Sequence, residues 1–354
     1  MPSASDAARF VPGRRRFGPA LRPAAIAVGA ALILAFPVFT DNPYMVTVGI
    51  GILHYAALAT SWNFVGGFTG YISLGHGALS GLGAYGTALL ITAAGLPSFV
   101  ALFAAAGLVA LLAIPIGAAA LRVRGASFVI VSIALVLILL LMFQSWASLT
   151  GGSRGLVVPR PFPALHRAEH HQVFFYLFAG LVALALVAWW LIDRSRFGLG
   201  LKAIREDEDK SEALGIPTFA YKLIAFVVSA AFTALTGGLY ALWFGDLDPM
   251  FQFSVLAGST MVLMALLGGV RHLFGPLLGA IIVGAGLEYG KLAYGDTPLH
   301  LVATGALLGT VVLFMPEGVI PALSSLARRL EPRAASIREV SAAELAHRRG
   351  EADP

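Results

Sequence analysis

Residues 98–149 read SFVALFAAAGLVALLAIPIGAAALRVRGASFVIVSIALVLILLLMFQSWASL, two apolar runs whose only charged residues are Arg122 and Arg124 between them. Each run is long enough to cross a bilayer as an α-helix, which needs about 20 consecutive apolar residues. Uncharged runs of this length also differ from the alternating strands of about 10 residues that form outer-membrane barrels. The stretch therefore predicts two membrane-spanning helices joined by a short basic turn.

The composition of the whole chain agrees with this prediction. Of its 354 residues, 58% are hydrophobic and 12% are charged, which is about half the charged share of a soluble domain. Too few polar side chains are present to cover a water-exposed surface, so a soluble enzyme and a disordered chain are excluded. The chain has no Cys, which excludes disulfides and thiol chemistry. We predict an all-α integral membrane protein without a cofactor or a metal site.

About ten apolar spans are predicted along the chain. Spans 8 and 9 are short and are joined by Gly-rich sequence, so eight spans are the alternative. The ten spans cover 24–39, 43–64, 71–93, 98–121, 126–149, 172–192, 221–244, 253–270, 275–291 and 298–320. They form a membrane-spanning domain over 24–320, between a basic cytoplasmic tail (1–23) and a second cytoplasmic tail (321–354) that we expect to be disordered.

The charged residues predict the topology of these spans. Lys and Arg concentrate in loops 122–125, 193–220 and 271–274 and in both tails, which makes these segments cytoplasmic by the positive-inside rule. The loop 150–171, with three arginines, is an exception on the outer side. For the same reason, the net charge of +5 indicates topology and not nucleic-acid binding. Ten spans give cytoplasmic termini and two five-span halves of inverted orientation, as in many transporters.

The Gly-rich stretch 66–86, GGFTGYISLGHGALSGLGAYG, has two interpretations. Small residues four apart allow helices to pack closely. A broken helix that lines a cavity is the other interpretation, because irregular backbone inside a membrane needs such a place. The polar groups in the stretch favour four candidate residues for a translocation pathway, which are Ser73, Gly75, His76 and Gly77.

The loop 193–220, DRSRFGLGLKAIREDEDKSEALGIPTFA, holds eleven charged residues between two apolar spans. Four of its residues recur at helical spacing, namely Leu201, Ile204, Glu208 and Glu212. Gly215 and Pro217 follow as a helix stop signal. The pattern predicts a short amphipathic helix on the cytoplasmic side, with Glu208 and Glu212 on one face. Its mixed charge favours docking of a cytosolic protein, and a solvated connector is the alternative.

No catalytic or nucleotide-binding motif occurs in the chain. Lys291 follows a Gly, but Ala285 and Leu292 stand where a P-loop has Gly and Ser or Thr. The chain is therefore predicted not to be an enzyme. An ion-coupled secondary transporter of a small polar solute is the alternative function, although such proteins need buried acids near the membrane centre. The spans have essentially no acid there, because Glu288 lies near the outer end of span 9, where it is predicted to pair with Lys291 on one helix face.

Six segments, in order along the chain, together resemble the permease subunits of branched-chain amino acid ABC importers, and in particular the LivM-like subunit. They are GYISLGHGALSGLGAYGTALL (70–90), LRVRGASFVIVSIAL (121–135), WASLTGGSRGL (146–156), RSRFGLGLKAIREDEDKSEALGIPTFAYKLIAFVVSAAFTALTGGLYA (194–241), LLGGVRHLFGPLLGAIIVG (266–284) and LFMPEGVI (313–320).

This resemblance implies an importer in the bacterial inner membrane. Its partners would be a second, LivH-like permease, two cytosolic ATPase subunits, a periplasmic binding protein and membrane lipid. The resemblance assigns the contact with the ATPases to Arg205, Glu206, Asp207, Glu208, Glu212 and Gly215. It also implies a branched-chain or other hydrophobic amino acid as substrate. Leu137 stands where the family often has Glu or Gln, so urea and short amides are kept as alternative substrates.

Overall fold

The computed structural model describes residues 21–40, 42–294, 302, 305–306 and 318–319. Almost all of them are helical, which confirms the predicted all-α membrane fold. The helices are α1 (Leu21–Phe39), α2 (Pro43–Thr69), α3 (His76–Thr92), α4 (Ser98–Ala120), α5 (Ala126–Ser145), α6 (Ala147–Thr150), α7 (Arg167–Arg194), α8 (Arg196–Glu206), α9 (Glu208–Ala213), α10 (Thr218–Phe244), α11 (Pro249–Gln252), α12 (Val255–Gly268) and α13 (Gly275–Tyr294).

Within the described residues, six stretches are long and apolar enough to cross a membrane, namely α2, α4, α5, α7, α10 and the segment Pro249–Gly268. The apolar part of α13 is shorter, and α3 has only 17 residues. Helix α1 packs on α7, where Phe36 stacks on Phe175 at 5.8 Å between ring centroids. Most of span 10 and both predicted tails, apart from residues 21–23, lie outside the described residues. The number of spans therefore stays a prediction.

Contacts between the loops group them at the two ends of the bundle. Arg124 and Arg271, from two predicted cytoplasmic loops, and Tyr71, the first residue of predicted span 3, all bond residues of 206–209. At the other end, strand β1 (Leu156–Val157) pairs antiparallel with strand β2 (Asp246–Leu247), and both lie in predicted outer loops. The grouping agrees with the predicted alternation of sides. Which end faces the cytoplasm stays a prediction.

Helices α2, α3 and α10 form the centre of the bundle, and α4 and α5 lie at its periphery. The α3–α10 contact is close because both helices present Gly to the other backbone. A Cβ at Gly83 would lie 2.2 Å from the Ala234 carbonyl oxygen, and one at Gly237 would lie 2.0 Å from the Ser80 carbonyl oxygen. Small residues permit this approach. Helix α5, in contrast, exposes large apolar side chains such as Ile138 and Leu141, which lipid or another subunit must cover.

Span 3 was predicted to be helical from residue 71, but the helix begins only at His76. Residues 70–75 are not helical, and Gly70 ends α2 in the left-handed region with φ of 77°. A similar interruption precedes α12, the third span of the predicted second half. The two interruptions touch reciprocally, since a Cβ at Gly77 would lie 2.9 Å from the Ser254 carbonyl oxygen and one at Gly258 would lie 2.5 Å from that of Leu74. A two-fold relation between the halves would produce such a pair, although the inverted halves stay a prediction.

Candidate functional site

The non-helical segment 70–75 is hydrogen-bonded to two neighbouring helices, α2 and α5. The Trp62 indole of α2 donates to the Ser73 carbonyl oxygen at 2.7 Å. The Ser132 hydroxyl oxygen of α5 accepts from the Leu74 amide at 3.0 Å. The Ser73 hydroxyl oxygen accepts from the Gly75 amide at 3.2 Å. Irregular backbone inside a membrane needs such partners because lipid offers none.

His76 begins α3 and is fully buried against α10. Its Nε2 lies 2.7 Å from the Ser229 hydroxyl oxygen, and that hydroxyl donates to the Ser61 carbonyl oxygen at 2.6 Å. Because Ser229 uses its one hydrogen on Ser61, the ring Nε2–H must be the donor to Ser229. The Nδ1 atom is then an acceptor, and it is buried without a hydrogen-bond partner among the described residues.

The four predicted pathway residues therefore share one place, at the interrupted start of α3. Ser73 and His76 are 1% and 0% exposed. The two glycines fit closely against their neighbours, with a Cβ at Gly75 3.2 Å from the Ser132 carbonyl oxygen and Gly77 facing Ser254. In this conformation all four are packed between helices, as the helix-packing interpretation predicts. Their role in a pathway stays a prediction.

The predicted cytoplasmic helix consists of two helices, α8 and α9, and the prediction of a single one was wrong. The helix is interrupted at Asp207, whose backbone is extended and whose carboxylate accepts a hydrogen bond from the Lys210 amide at 3.0 Å. Asp is a favoured N-cap because its side chain satisfies a free amide at a helix start. Leu201 and Ile204 of α8 are buried, as the amphipathic pattern predicts. We call residues 196–215 the coupling segment.

Gly215 ends α9 as the stop signal predicts. It lies in the left-handed region with φ of 86°, and the Ile216 amide reaches back to the Ser211 carbonyl oxygen at 3.1 Å. Glycine is common at this position because a Cβ is strained there. The turn is exposed, and the Leu214 side chain beside it is 83% exposed.

Glu208 reaches into the bundle whereas Glu212 is exposed, so the prediction that the two share one exposed face was wrong. Their part in docking stays a prediction. The Glu208 carboxylate contacts three side chains from other parts of the chain. Lys222 Nζ of α10 lies 2.5 Å from Oε1, the Tyr71 hydroxyl donates to Oε2 at 2.7 Å, and Arg124 Nη2 lies 3.3 Å from Oε1. We call Tyr71, Arg124, Glu208 and Lys222 the charge cluster. Within it, the Lys222 and Glu208 side chains are 4% and 11% exposed.

The other predicted coupling residues also include some that are bonded within the chain and some that are exposed. Arg205 donates to the Gly67 carbonyl oxygen at the end of α2. Glu206 pairs with Arg271 at 3.1 Å, and Asp207 pairs with Lys210 at 2.8 Å. Four of the six residues are thus bonded within the chain. Glu206, Glu212 and Gly215 are exposed, and these predicted residues remain accessible to a partner.

The charge cluster predicts a dependence of stability on pH. Burial raises the pKa of the Glu208 carboxyl, but hydrogen bonds from Lys222 and Tyr71 outweigh burial and hold the pKa below its ordinary value of 4.5. A lowered pKa means that ionised Glu208 stabilises the fold at higher pH, and that this contribution is lost as pH falls through the folded-state pKa. We expect the melting temperature of the purified protein to fall on acidification below about pH 4.5.

Glu208→Gln tests this expectation. The variant should melt at a lower temperature than the native protein at pH 7, and the gap should narrow at low pH. Glu212→Gln is the matched control, because Glu212 is exposed on the same short helix. Equal melting temperatures of Glu208→Gln and the native protein at pH 7 would contradict the assignment.

The sequence did not reveal Tyr71 and Lys222 as partners of Glu208. Lys222 stands at the start of an apolar span, where a lysine is usually expected to extend towards water. Its burial was therefore not expected. A lysine in the first turn of a span, next to an acid-rich loop, was the available signal.

Glu288 has a described hydrogen-bond partner on another helix, and its predicted pair with Lys291 stays a prediction. The Tyr44 hydroxyl of α2 donates to the Glu288 carboxylate. The Lys291 side chain lies outside the described residues. Glu288 also lines a cavity of about 460 Å³ between α2, α12 and α13.

Comparisons with known proteins agree with these features. The family described as "Branched-chain amino acid transport system / permease component" matches residues 44–321. LivM of Escherichia coli K12, a high-affinity branched-chain amino acid transport system permease protein, is 28% identical over 308 residues, which is 79% of this chain and 72% of LivM. LivH of the same organism is 29% identical over 282 residues, 75% of this chain and 91% of LivH.

A third relative, the permease protein BraD of Pseudomonas aeruginosa, is 31% identical over 152 residues, 43% of this chain and 48% of BraD. No solved structure matches the chain. The relatives are transport permeases and not enzymes, and the family match covers the helical bundle together with both interrupted spans. The chain therefore belongs to the family of permease components of branched-chain amino acid transport systems.

Proposed function

We propose that this chain is one of two permease subunits of an ABC importer in the bacterial inner membrane. With a LivH-like second permease it forms the pathway for branched-chain or other hydrophobic amino acids. Two cytosolic ATPase subunits drive transport, and a periplasmic binding protein supplies the substrate. Membership of the permease family supports the role in transport. The chain itself has no P-loop, so the proposal assigns ATP hydrolysis to separate subunits.

The exposed turn of the coupling segment is the observation that carries the proposal. Glu212, Leu214 and Gly215 project beyond residues that are anchored to the bundle. An exposed turn with one apolar side chain and one acid is suited to a groove of another protein that offers an apolar pocket and a basic group. An ATPase subunit that holds this turn would move the coupling segment when it closes on ATP, and the permease would change between outward- and inward-facing states.

The exposed face of α5 supports the position of a second permease. Ile130, Leu137 and Ile138 on this helix are 67%, 47% and 61% exposed. Leu137 stands where the family that the sequence resembles often has Glu or Gln. We propose that this face of α5 meets the second permease and lines part of the pathway. Its apolar character suits a hydrophobic substrate better than urea or a short amide.

Co-expression with candidate partners tests the proposed function. The tagged chain should retain a second permease and ATPase subunits on purification, and the complex in liposomes should take up tritiated leucine only with ATP and the binding protein. Unlabelled isoleucine, valine, urea and acetamide as competitors identify the substrate class. Uptake by this chain alone, driven by a proton or sodium gradient, would overturn the ABC assignment in favour of a secondary transporter.

A reporter fusion series tests the proposed orientation. Fusions after Lys210 and after Pro354 should report cytoplasm, and an insertion near Arg160 should report periplasm. The expectation rests on the excess of Lys and Arg in the predicted inner loops. A periplasmic signal after Pro354 would mean an odd number of spans and would contradict the ten-span topology.

A further inference from the structure

The charge cluster joins the coupling segment to the non-helical segment 70–75. Glu208 begins α9 in the coupling segment, and Tyr71 is the second residue of the non-helical segment. Lys222 Nζ donates to the Glu208 carboxylate at 2.5 Å and to the Tyr71 hydroxyl oxygen at 3.0 Å, and that hydroxyl donates to Glu208 at 2.7 Å. The three side chains form a closed triangle of hydrogen bonds.

Stability alone does not account for this triangle. Moving a lysine and a carboxylate out of water has a large desolvation cost, and well-packed apolar residues of similar volume often stabilise a fold as well or better. The triangle fixes the relative positions of its three side chains, because hydrogen bonds to charged groups constrain distance and angle more strictly than apolar contacts do. It is a stiff link between the two segments.

The non-helical segment in turn contacts three spanning helices. Ser73 bonds Trp62 of α2, Leu74 bonds Ser132 of α5, and the Leu74 carbonyl oxygen packs against Gly258 of α12. The segment then continues directly into α3 at His76. Any displacement of Tyr71 therefore acts on the place where α2, α3, α5 and α12 meet.

We propose that Glu208 is a positioning residue that transmits displacement of the coupling segment to the start of α3 through Tyr71 and Lys222. The inference rests on the proposed function, because ATPase subunits must move the coupling segment. Arg205 donates to the Gly67 carbonyl oxygen at the end of α2. This bond joins the coupling segment to the residues that precede the non-helical segment in the chain. The coupling segment and residues 67–75 move as one body, and the packed start of α3 opens or closes with them.

Tyr71→Phe is the sharpest test of this link. It removes the hydroxyl that bonds Glu208 and Lys222 but keeps the ring, which packs on Phe128 at 5.2 Å. The variant is assembled with its permease, ATPase and binding-protein partners in liposomes, and uptake of tritiated leucine and ATP hydrolysis are measured together. Assembly and ATP hydrolysis should persist, whereas leucine taken up per ATP should fall about tenfold, the equivalent of ~1.4 kcal/mol.

A purely structural role predicts another pattern. The amount of complex, uptake and hydrolysis would then fall in proportion, and an unchanged ratio of uptake to hydrolysis would overturn the inference. Tyr289→Phe, on a side chain that is 72% exposed, is the matched control. It should not change the ratio.

Glu208→Gln gives a second, independent measurement. If Tyr71 and Glu208 act through one contact, their effects are not additive. The double variant Tyr71→Phe/Glu208→Gln should then have a ratio of uptake to hydrolysis no lower than the lower of the two single-variant ratios. A ratio that equals the product of the two single effects would contradict the link. A native complex that fails to bind ATPase subunits or to couple ATP to uptake would overturn the proposed function itself. A native complex that couples, with an unaltered ratio in Tyr71→Phe, would overturn only this inference.

Discussion

Gly237→Leu is expected to reduce the amount of folded protein in the membrane by about tenfold or more. A Cβ at Gly237 would lie 2.0 Å from the Ser80 carbonyl oxygen and 2.7 Å from its carbonyl carbon. These are backbone atoms of α3, which cannot rotate away as a side chain can. Overpacking in a core costs about 1–3 kcal/mol and sometimes more, and each ~1.4 kcal/mol is a factor of ten in an equilibrium. Helices α3 and α10 would have to separate.

The measurement is the level of tagged protein in purified membranes, together with its melting temperature in detergent. Gly107→Leu is the matched control, because Gly107 is exposed on α4 and a Cβ there meets nothing within 4 Å. The control should accumulate like the native protein. Normal accumulation and stability of Gly237→Leu would show that α3 and α10 are not packed backbone to backbone.

Leu214→Asp, combined with Glu212→Lys, is expected to abolish ATPase association and ATP-driven uptake while membrane levels stay normal. Leu214 is 83% exposed at the end of α9, so the fold does not depend on it. In a docked complex, however, an acid in an apolar pocket remains without a partner, and a reversed charge at Glu212 faces like charge. Juxtaposed like charges cost several kcal/mol across an interface. Large losses of binding are therefore compatible with an intact permease.

Co-purification of the ATPase subunits and leucine uptake are the two measurements. Phe251→Asp is the control, since Phe251 is 78% exposed in α11 next to β2, at the opposite end of the bundle. It places the same acid on an exposed apolar position and should leave ATPase association unchanged. If the Leu214 and Glu212 variant retains both association and uptake, the docking surface lies elsewhere.

Reversal of Glu208 to Lys does not test docking. The substitution would place a second ammonium group against Lys222 and Arg124 in a nearly buried site, so the fold itself would be destabilised. Spacing along the helix suggested that Glu208 and Glu212 act together. The structure separates them, because one reaches inward to α10 and the other does not.

The sequence was sufficient for the membrane fold and for the grouping of the loops. Long apolar runs and the basic residues between them depend on hydropathy and charge, which are properties of single segments. The stop of α9 at Gly215 was also predictable, because the left-handed turn is a local property of glycine. The four candidate pathway residues were found as one group for the same reason, since they are neighbours in the chain.

The tertiary structure alone decided the partners of these residues. Nothing near Glu208 in the chain indicates that it bonds Tyr71, 137 residues away, and the position of Lys222 beside an acid-rich loop does not by itself show that Lys222 is buried. The start of α3 at His76, in place of residue 71, depends on hydrogen bonds with Trp62 and Ser132 that satisfy the backbone before it. Hydropathy is a sum over one segment, whereas burial and bonding of a polar group depend on which distant segments meet it. The sequence by itself therefore determined that this chain spans the membrane, and only the fold determined which charges hold the coupling segment to the bundle.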